Sequence, residues 1–203
     1  MTTSFGRFRS SFPGSVRYLL AVLIHASFAT TVCATPSASR PVAVPDLFAK
    51  GSRYWSVTAG TSSDGALGWI ALTELNVSYY IADDLAIEYG GIFGYAEAKR
   101  TSGGVLGGPD LGMRWHYAKR ERWSLYLEAL AGAVLQQHPL TPQTLRFNFD
   151  LQPGGGATYY LGNDTLVHGG FRWHHLSNAQ VRGRARNFGY DGPMFYFELM
   201  RSF

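Results

Sequence analysis

The chain has 203 residues, among them 24 Gly, 9 Pro and one Cys, with 46% hydrophobic, 15% aromatic and 16% charged residues and a formal charge of +4. That length suits one domain, and a shortage of charge with a surplus of aromatics excludes disordered, collagen-like and coiled-coil classes. One cysteine excludes an internal disulfide or an all-thiolate zinc site, and the positive charge points to nucleic acid only if the cations cluster.

The N-terminus explains most of that charge. Arg7, Arg9 and Arg17 precede an apolar stretch from Tyr18 to Phe28 that is too short to span a bilayer, and Val32-Cys33-Ala34 follows. This order reads as a secretory signal over 1–34, cleaved after Ala34; the alternative is an N-terminal anchor helix. Cleavage removes the cysteine and three of the 18 basic residues but none of the 14 acidic ones, leaving 15 cations against 14 anions. Nucleic acid thereby loses its support, because phosphate binding needs clustered, uncompensated Lys and Arg. Residues 35–50, with Pro36, Pro41 and Pro45, read as a loose leader, and 51–203 as the domain.

From Trp69 the pattern has period two. Trp69, Ala71, Leu75, Val77, Tyr79 and Ile81 share one face, and Glu74, Asn76 and Ser78 the other. After a turn at Ala82-Asp83-Asp84, the segment from Leu85 to Ala96 repeats it, as do 109–117 and 123–137. Segments near 52–61, 147–161, 165–177 and 193–203 complete eight strands. Connections alternate between short (82–84, 118–122, 162–164) and longer (61–68, 97–108, 138–146, 178–192). The expectation is an all-β, eight-stranded antiparallel outer-membrane barrel, apolar outside and polar inside, with aromatic residues near the strand ends. A secreted sandwich or soluble lipocalin-like barrel alternates too, and periodicity alone does not tell inside from outside. The last strand, with Phe195, Phe197, Leu199 and terminal Phe203, resembles the C-terminal recognition signal of bacterial outer-membrane barrels.

Chemistry concentrates in the last thirty residues. Phe171, Trp173, His175 and Ser177 share a strand face, so a base and a hydroxyl two residues apart point the same way. A serine becomes a nucleophile when a base takes its proton and a third group fixes the imidazole tautomer. Asn178 follows, Asn187, Gly189 and Asp191 are expected in the next loop, and Asp191 is the only acid between Ser177 and Glu198. Strand parity puts Glu198, His168, Arg172 and His174 in the interior. A His and a Ser on an outward barrel face are costly without a role. The glycine runs at 103–108 and 154–156 read as loop or bulge glycines, with no helix after them to make a phosphate loop.

His175-Leu176-Ser177-Asn178-Ala179, then Asn187-Phe188-Gly189-Tyr190-Asp191 and a final amphipathic strand ending in Phe, resembles the PagL-type lipid A 3-O-deacylases over residues 165–203. The resemblance implies an outer-membrane barrel of a Gram-negative bacterium whose serine-histidine-acid triad faces the outer leaflet and removes the 3-O-linked acyl chain of lipid A. It implies Ser177 as nucleophile, His175 as general base, Asn178 at the oxyanion, Asn187 and Gly189 supporting the loop, and no cofactor or metal. Members of the family can dimerise, so a homodimer is among its implications. The chain departs from the family at the acid: Phe188 stands for a proline, the loop is about two residues longer, and Asp191 takes the place of a Glu. Phe171 and Trp173 are expected beside the acyl chain, and Arg182, Arg184 and Arg186 near lipid A phosphates. The competing readings are a non-catalytic barrel with a membrane-stabilising or adhesion role, and a soluble lipid-binding barrel.

Overall fold

The computed structural model describes residues 47–187 and 189–203. The expected signal at 1–34, most of the leader (35–46) and Phe188 lie outside the described residues. The strands are β1 (Arg53–Asp64), β2 (Gly68–Ala82), β3 (Leu85–Ala98), β4 (Gly104–Lys119), β5 (Trp123–Gln136), β6 (Phe147–Gly162), β7 (Thr165–Ser177) and β8 (Tyr190–Ser202). Each pairs antiparallel with its chain neighbours, and β8 returns to β1 over Tyr54↔Ser202 to Ser62↔Met194, closing an eight-stranded barrel. Closure satisfies the backbone groups that an open edge would leave unpaired.

Closure also decides which face is inside. Glu74, Glu88, Arg114, Glu128, Arg172 and Glu198 are buried in the lumen, while Leu75, Tyr89, Phe93, Leu111, Leu127, Phe195 and Phe197 are exposed on the outer wall. This inverts the order of a soluble lipocalin-like barrel. Arg114 bridges Glu88 at 3.2 Å, Glu128 at 3.0 Å and Glu198 at 2.6 Å; Arg172 bridges Glu74 at 2.7 Å and Glu128 at 2.8 Å. Two desolvated guanidiniums are compensated only because each has several carboxylate partners. Tyr126 and Tyr196 pack beside these ion pairs, and glycines make the room: a Cβ on Gly156 or Gly170 would lie 2.6 Å from the Tyr126 or Tyr196 hydroxyl oxygen.

The strands run further than expected at one end of the barrel. The segment expected near 52–61 runs to Asp64, that expected at 109–117 extends over Gly104–Lys119, and the last begins at Tyr190 rather than 193, so the connections at 61–68, 97–108 and 178–192 shrink to 65–67, 99–103 and 178–189. Gly103 stays in the 99–103 connection, whereas Gly104, Gly107, Gly108, Gly154, Gly155 and Gly156 are strand residues. A Cβ at Gly108 would lie 1.8 Å from the Ala133 carbonyl oxygen, and the β4–β5 ladder breaks between Gly107 and Asp110, around Pro109, which has no N–H to give. Gly154, Gly155 and Gly156 each pair with both β5 and β7.

Residues 47–50, read as leader, belong to the barrel. Phe48 is fully buried and stacks on the His116 ring at 3.7 Å, its carbonyl accepting from Asp84 N–H, and the Tyr54 hydroxyl donates to the Leu47 carbonyl. This segment stops the lumen at the short-turn end. The connections at the other end include the long ones, 137–146 and 178–189, and β7 runs toward it.

Candidate active site on the wall of β7 and β8

β7 alternates along its upper half: Phe171, Trp173, His175 and Ser177 face out, while Arg172, His174 and Leu176 are buried. Adjacent histidines therefore serve different sides, and His174 meets Ser62 Oγ at 2.8 Å inside the barrel. Ser177 is the last residue of β7 and lies opposite Phe149 of β6; His175 sits between Leu151 of β6 and Asp191 of β8.

That register makes the acid a strand residue rather than a loop residue. Asp191 stands directly across from His175, and its Oδ1 lies 2.8 Å from His175 Nδ1. An ionised carboxylate only accepts, so Nδ1 carries the hydrogen and Nε2 is left as the basic nitrogen. The pair is half-exposed on the wall, with 40% and 49% of the two side chains accessible. Among the described residues, no hydrogen bond joins Ser177 to His175. Such contacts are often long in free enzymes and tighten when substrate binds. Gly189 lies beside the pair, where a Cβ would stand 3.4 Å from both His175 Cε1 and Asp191 Oδ2.

Two contacts escaped the sequence. Trp173, expected only as a wall for an acyl chain, donates its indole N–H to Asp191 Oδ1 at 3.2 Å. Asp64, at the end of β1, accepts the Asp191 backbone N–H on Oδ2 at 3.1 Å and the Ala66 and Leu67 N–H groups on Oδ1. Both depend on strand register, which leaves no local mark. Phe149 and Leu151 were also missed; they are exposed beside Ser177 and His175 and continue the apolar wall onto β6.

Asn178 is placed differently from expectation. It follows the last strand residue, so its side chain turns to the buried side, where it is 1% exposed. Its Nδ2 donates to the Arg186 carbonyl at 2.6 Å, its Oδ1 accepts from Gln180 N–H at 3.1 Å, and its own N–H is held by Asn187 Oδ1 at 2.9 Å. Asn178 and Asn187 thus tie the neck of the 178–189 loop, and the side-chain amide expected at an oxyanion is committed there. Ala179 and Gln180 take the left-handed conformation (φ 49 and 61), which that Asx-type turn sustains. Arg182, Arg184 and Arg186 are exposed on the same loop, the last two in a 3₁₀ turn, and none lies in an ion pair among the described residues. Glu198 is interior and bound to Arg114, away from the wall. Among the described residues, no group of three His, Cys, Asp or Glu side chains is placed to hold a metal ion.

No protein-family model matches the chain, and the curated proteins yield no match. Solved structures are similar to it. One is a de novo designed transmembrane β-barrel, 14% identical, with a TM-score of 0.42, covering 76% of this chain and 97% of the other. A second designed barrel, solved by solution NMR, is 13% identical with a TM-score of 0.41, covering 75% of this chain and 95% of the other.

Proposed function

We propose that the chain is an outer-membrane esterase of a Gram-negative bacterium that removes the 3-O-linked acyl chain of lipid A. The membrane part of this reading rests on the inverted barrel, since only a lipid environment favours a continuous apolar outer wall around a charged lumen. Exposed Trp55, Tyr79, Trp115, Tyr117, Trp123 and Tyr159 ring the short-turn end, and Phe147, Phe149 and Trp173 stand toward the other, where interfacial aromatics belong.

The observation that carries the esterase reading is the 2.8 Å contact between His175 and Asp191, on an apolar wall, beside Ser177. Polar groups on such a wall are expensive, and an acid-base pair next to a hydroxyl is the arrangement that activates serine. His175 Nε2 takes the Ser177 proton as Oγ attacks the ester carbonyl; the resulting imidazolium is stabilised by Asp191. Collapse of the tetrahedral intermediate expels the sugar alkoxide, which receives the proton from His175. Water, activated by the same nitrogen, then cleaves the acyl-Ser177 ester to the fatty acid and restores the serine. The oxyanion requires N–H donors about 3 Å from the developing charge. The wall of Phe149, Leu151, Phe171 and Trp173 suits the acyl chain, and Arg182, Arg184 and Arg186 suit the phosphates of a lipid A head group. Ester chemistry and lipid A as substrate follow from the resemblance of residues 165–203 to the deacylase family.

Acyl release from lipopolysaccharide in mixed micelles tests the proposal. The wild type should release fatty acid from position 3, and Ser177→Ala should lose at least about 10³-fold of the rate. Absence of release by the wild type, or equal release by Ser177→Ala, would leave a non-catalytic barrel.

A further inference from the structure

The carboxylate of Asp191 has a restraint that its role as the acid would need. Its backbone is fixed by the β7–β8 ladder and by the N–H to Asp64 Oδ2 at 3.1 Å. The side chain is not confined in the same way: about half of it is accessible, and a short carboxylate at a lipid-water boundary gains hydration by swinging away from the wall. A single bond to His175 at 2.8 Å opposes that motion. The second comes from Trp173, which stands two residues before His175 on the same face, diagonal to Asp191, and donates its indole N–H to Oδ1 at 3.2 Å. The accepting atom is the one that holds the imidazole.

This use of a tryptophan is unusual for its place. An indole on the outer wall of a barrel ordinarily buries its rings in lipid and gives its N–H to water or a head group. Trp173 is itself 45% exposed, so water or a head group would serve its N–H as well, yet the N–H is given to the carboxylate. A neutral donor suits the task, because it orients the acid without cancelling the charge that must stabilise the imidazolium. A lysine or arginine in its place would neutralise Asp191 as well as hold it.

We propose that Trp173 is a positioning residue for the reaction, fixing the Asp191 carboxylate so that Oδ1 stays aimed at His175 Nδ1 through the catalytic cycle. The proposal rests on the esterase reading for its catalytic meaning and on the indole-carboxylate contact for its geometry, and two measurements separate these. The first is a double-mutant cycle on acyl release. Trp173→Phe keeps the ring area that an acyl chain would touch and deletes the N–H. In the Asp191 background kcat should fall about tenfold with KM within twofold; in the Asp191→Asn background the same change should cost less than twofold, because residues acting through one another are not additive. Equal losses in both backgrounds, or a rise in KM with kcat kept, would make Trp173 a substrate wall and overturn the proposal. The second measurement needs no turnover. The Trp173 indole N–H resonance of the ¹⁵N-labelled protein in micelles, identified by its loss in Trp173→Phe, should move upfield and exchange faster with solvent in Asp191→Ala. An unmoved resonance would overturn the contact. A resonance that responds in a protein releasing no fatty acid would support the clamp and discard the esterase reading.

Discussion

At the scale of single residues, β8 carries two acids, Asp191 and Glu198, as candidates for the third member of the proposed triad, and burial separates them. Glu198 lies in the lumen with Arg114 at 2.6 Å, where its charge is consumed by the internal ion network. Asp191 lies on the wall with His175 and Trp173 as its side-chain partners. Asp191→Asn preserves shape but offers His175 the wrong hydrogen-bonding group. It should lower kcat for acyl release by about 10²- to 10⁴-fold while the folded barrel persists as a heat-modifiable band on a gel. Glu198→Gln should do the reverse, keeping acyl release within severalfold while lowering resistance to urea, because Arg114 loses a charged partner in a desolvated site. Full activity in Asp191→Asn, assayed beside Glu198→Gln, would remove Asp191 from the triad.

At the scale of elements, β7 and the loop after it divide the labour. The strand presents His175 and Ser177 outward, and the loop neck at Asn178 and Asn187 holds the chain end that follows Ser177. Asn187→Ala deletes the acceptor for the Asn178 N–H, a bond worth about 1 kcal/mol. The loop should then open to trypsin at Arg182, Arg184 or Arg186 several times faster, with acyl release reduced and urea resistance unchanged. Cleavage at the wild-type rate would mean that other contacts hold the loop. Period-two alternation made the strands legible, and with them the shared face of His175 and Ser177, because facing depends only on parity. Register was not legible. Asp191 read as loop because the alternation of the last strand was followed only from 193, yet β8 begins at Tyr190 and Gly192 within it allows a close approach: a Cβ would lie 2.5 Å from the Ser63 carbonyl oxygen. Asn178 was misplaced for a related reason, since one residue beyond Ser177 the side chain turns to the opposite face. The pairing of His175 with Asp191, the reach of Trp173 and the anchor at Asp64 all arise between strands distant in sequence, where no local pattern records them.

At the scale of the whole molecule, the apolar and polar faces have exchanged the places they hold in a soluble barrel, and this makes the membrane reading testable without reference to catalysis. The lumen, with its ion pairs, tyrosines and buried apolar side chains such as Ile70, Leu72, Ile92 and Met194, is shielded from the surroundings by the wall, so its contribution should be similar in water, detergent or lipid. The outer wall is different: Leu75, near the middle of β2 and 62% exposed, has no protein neighbour to cover it and gains only from lipid. Leu75→Arg should therefore destabilise the barrel in phospholipid vesicles by about 2–4 kcal/mol, the cost of a cation on the lipid face near the bilayer midplane. Urea titration followed by the gel shift of the folded band reads that loss as a lower midpoint. Ala66→Arg, at an exposed position of the 65–67 connection, supplies the comparison, because a charge at a loop tip meets water and head groups and should leave the midpoint where it was. A soluble barrel predicts the opposite pattern. There Leu75→Arg would replace an exposed apolar side chain by a solvated one, improving solubility with little effect on stability. Equal midpoints for the two arginine variants would place the wall in water and take the membrane, and with it the lipid substrate, out of the account.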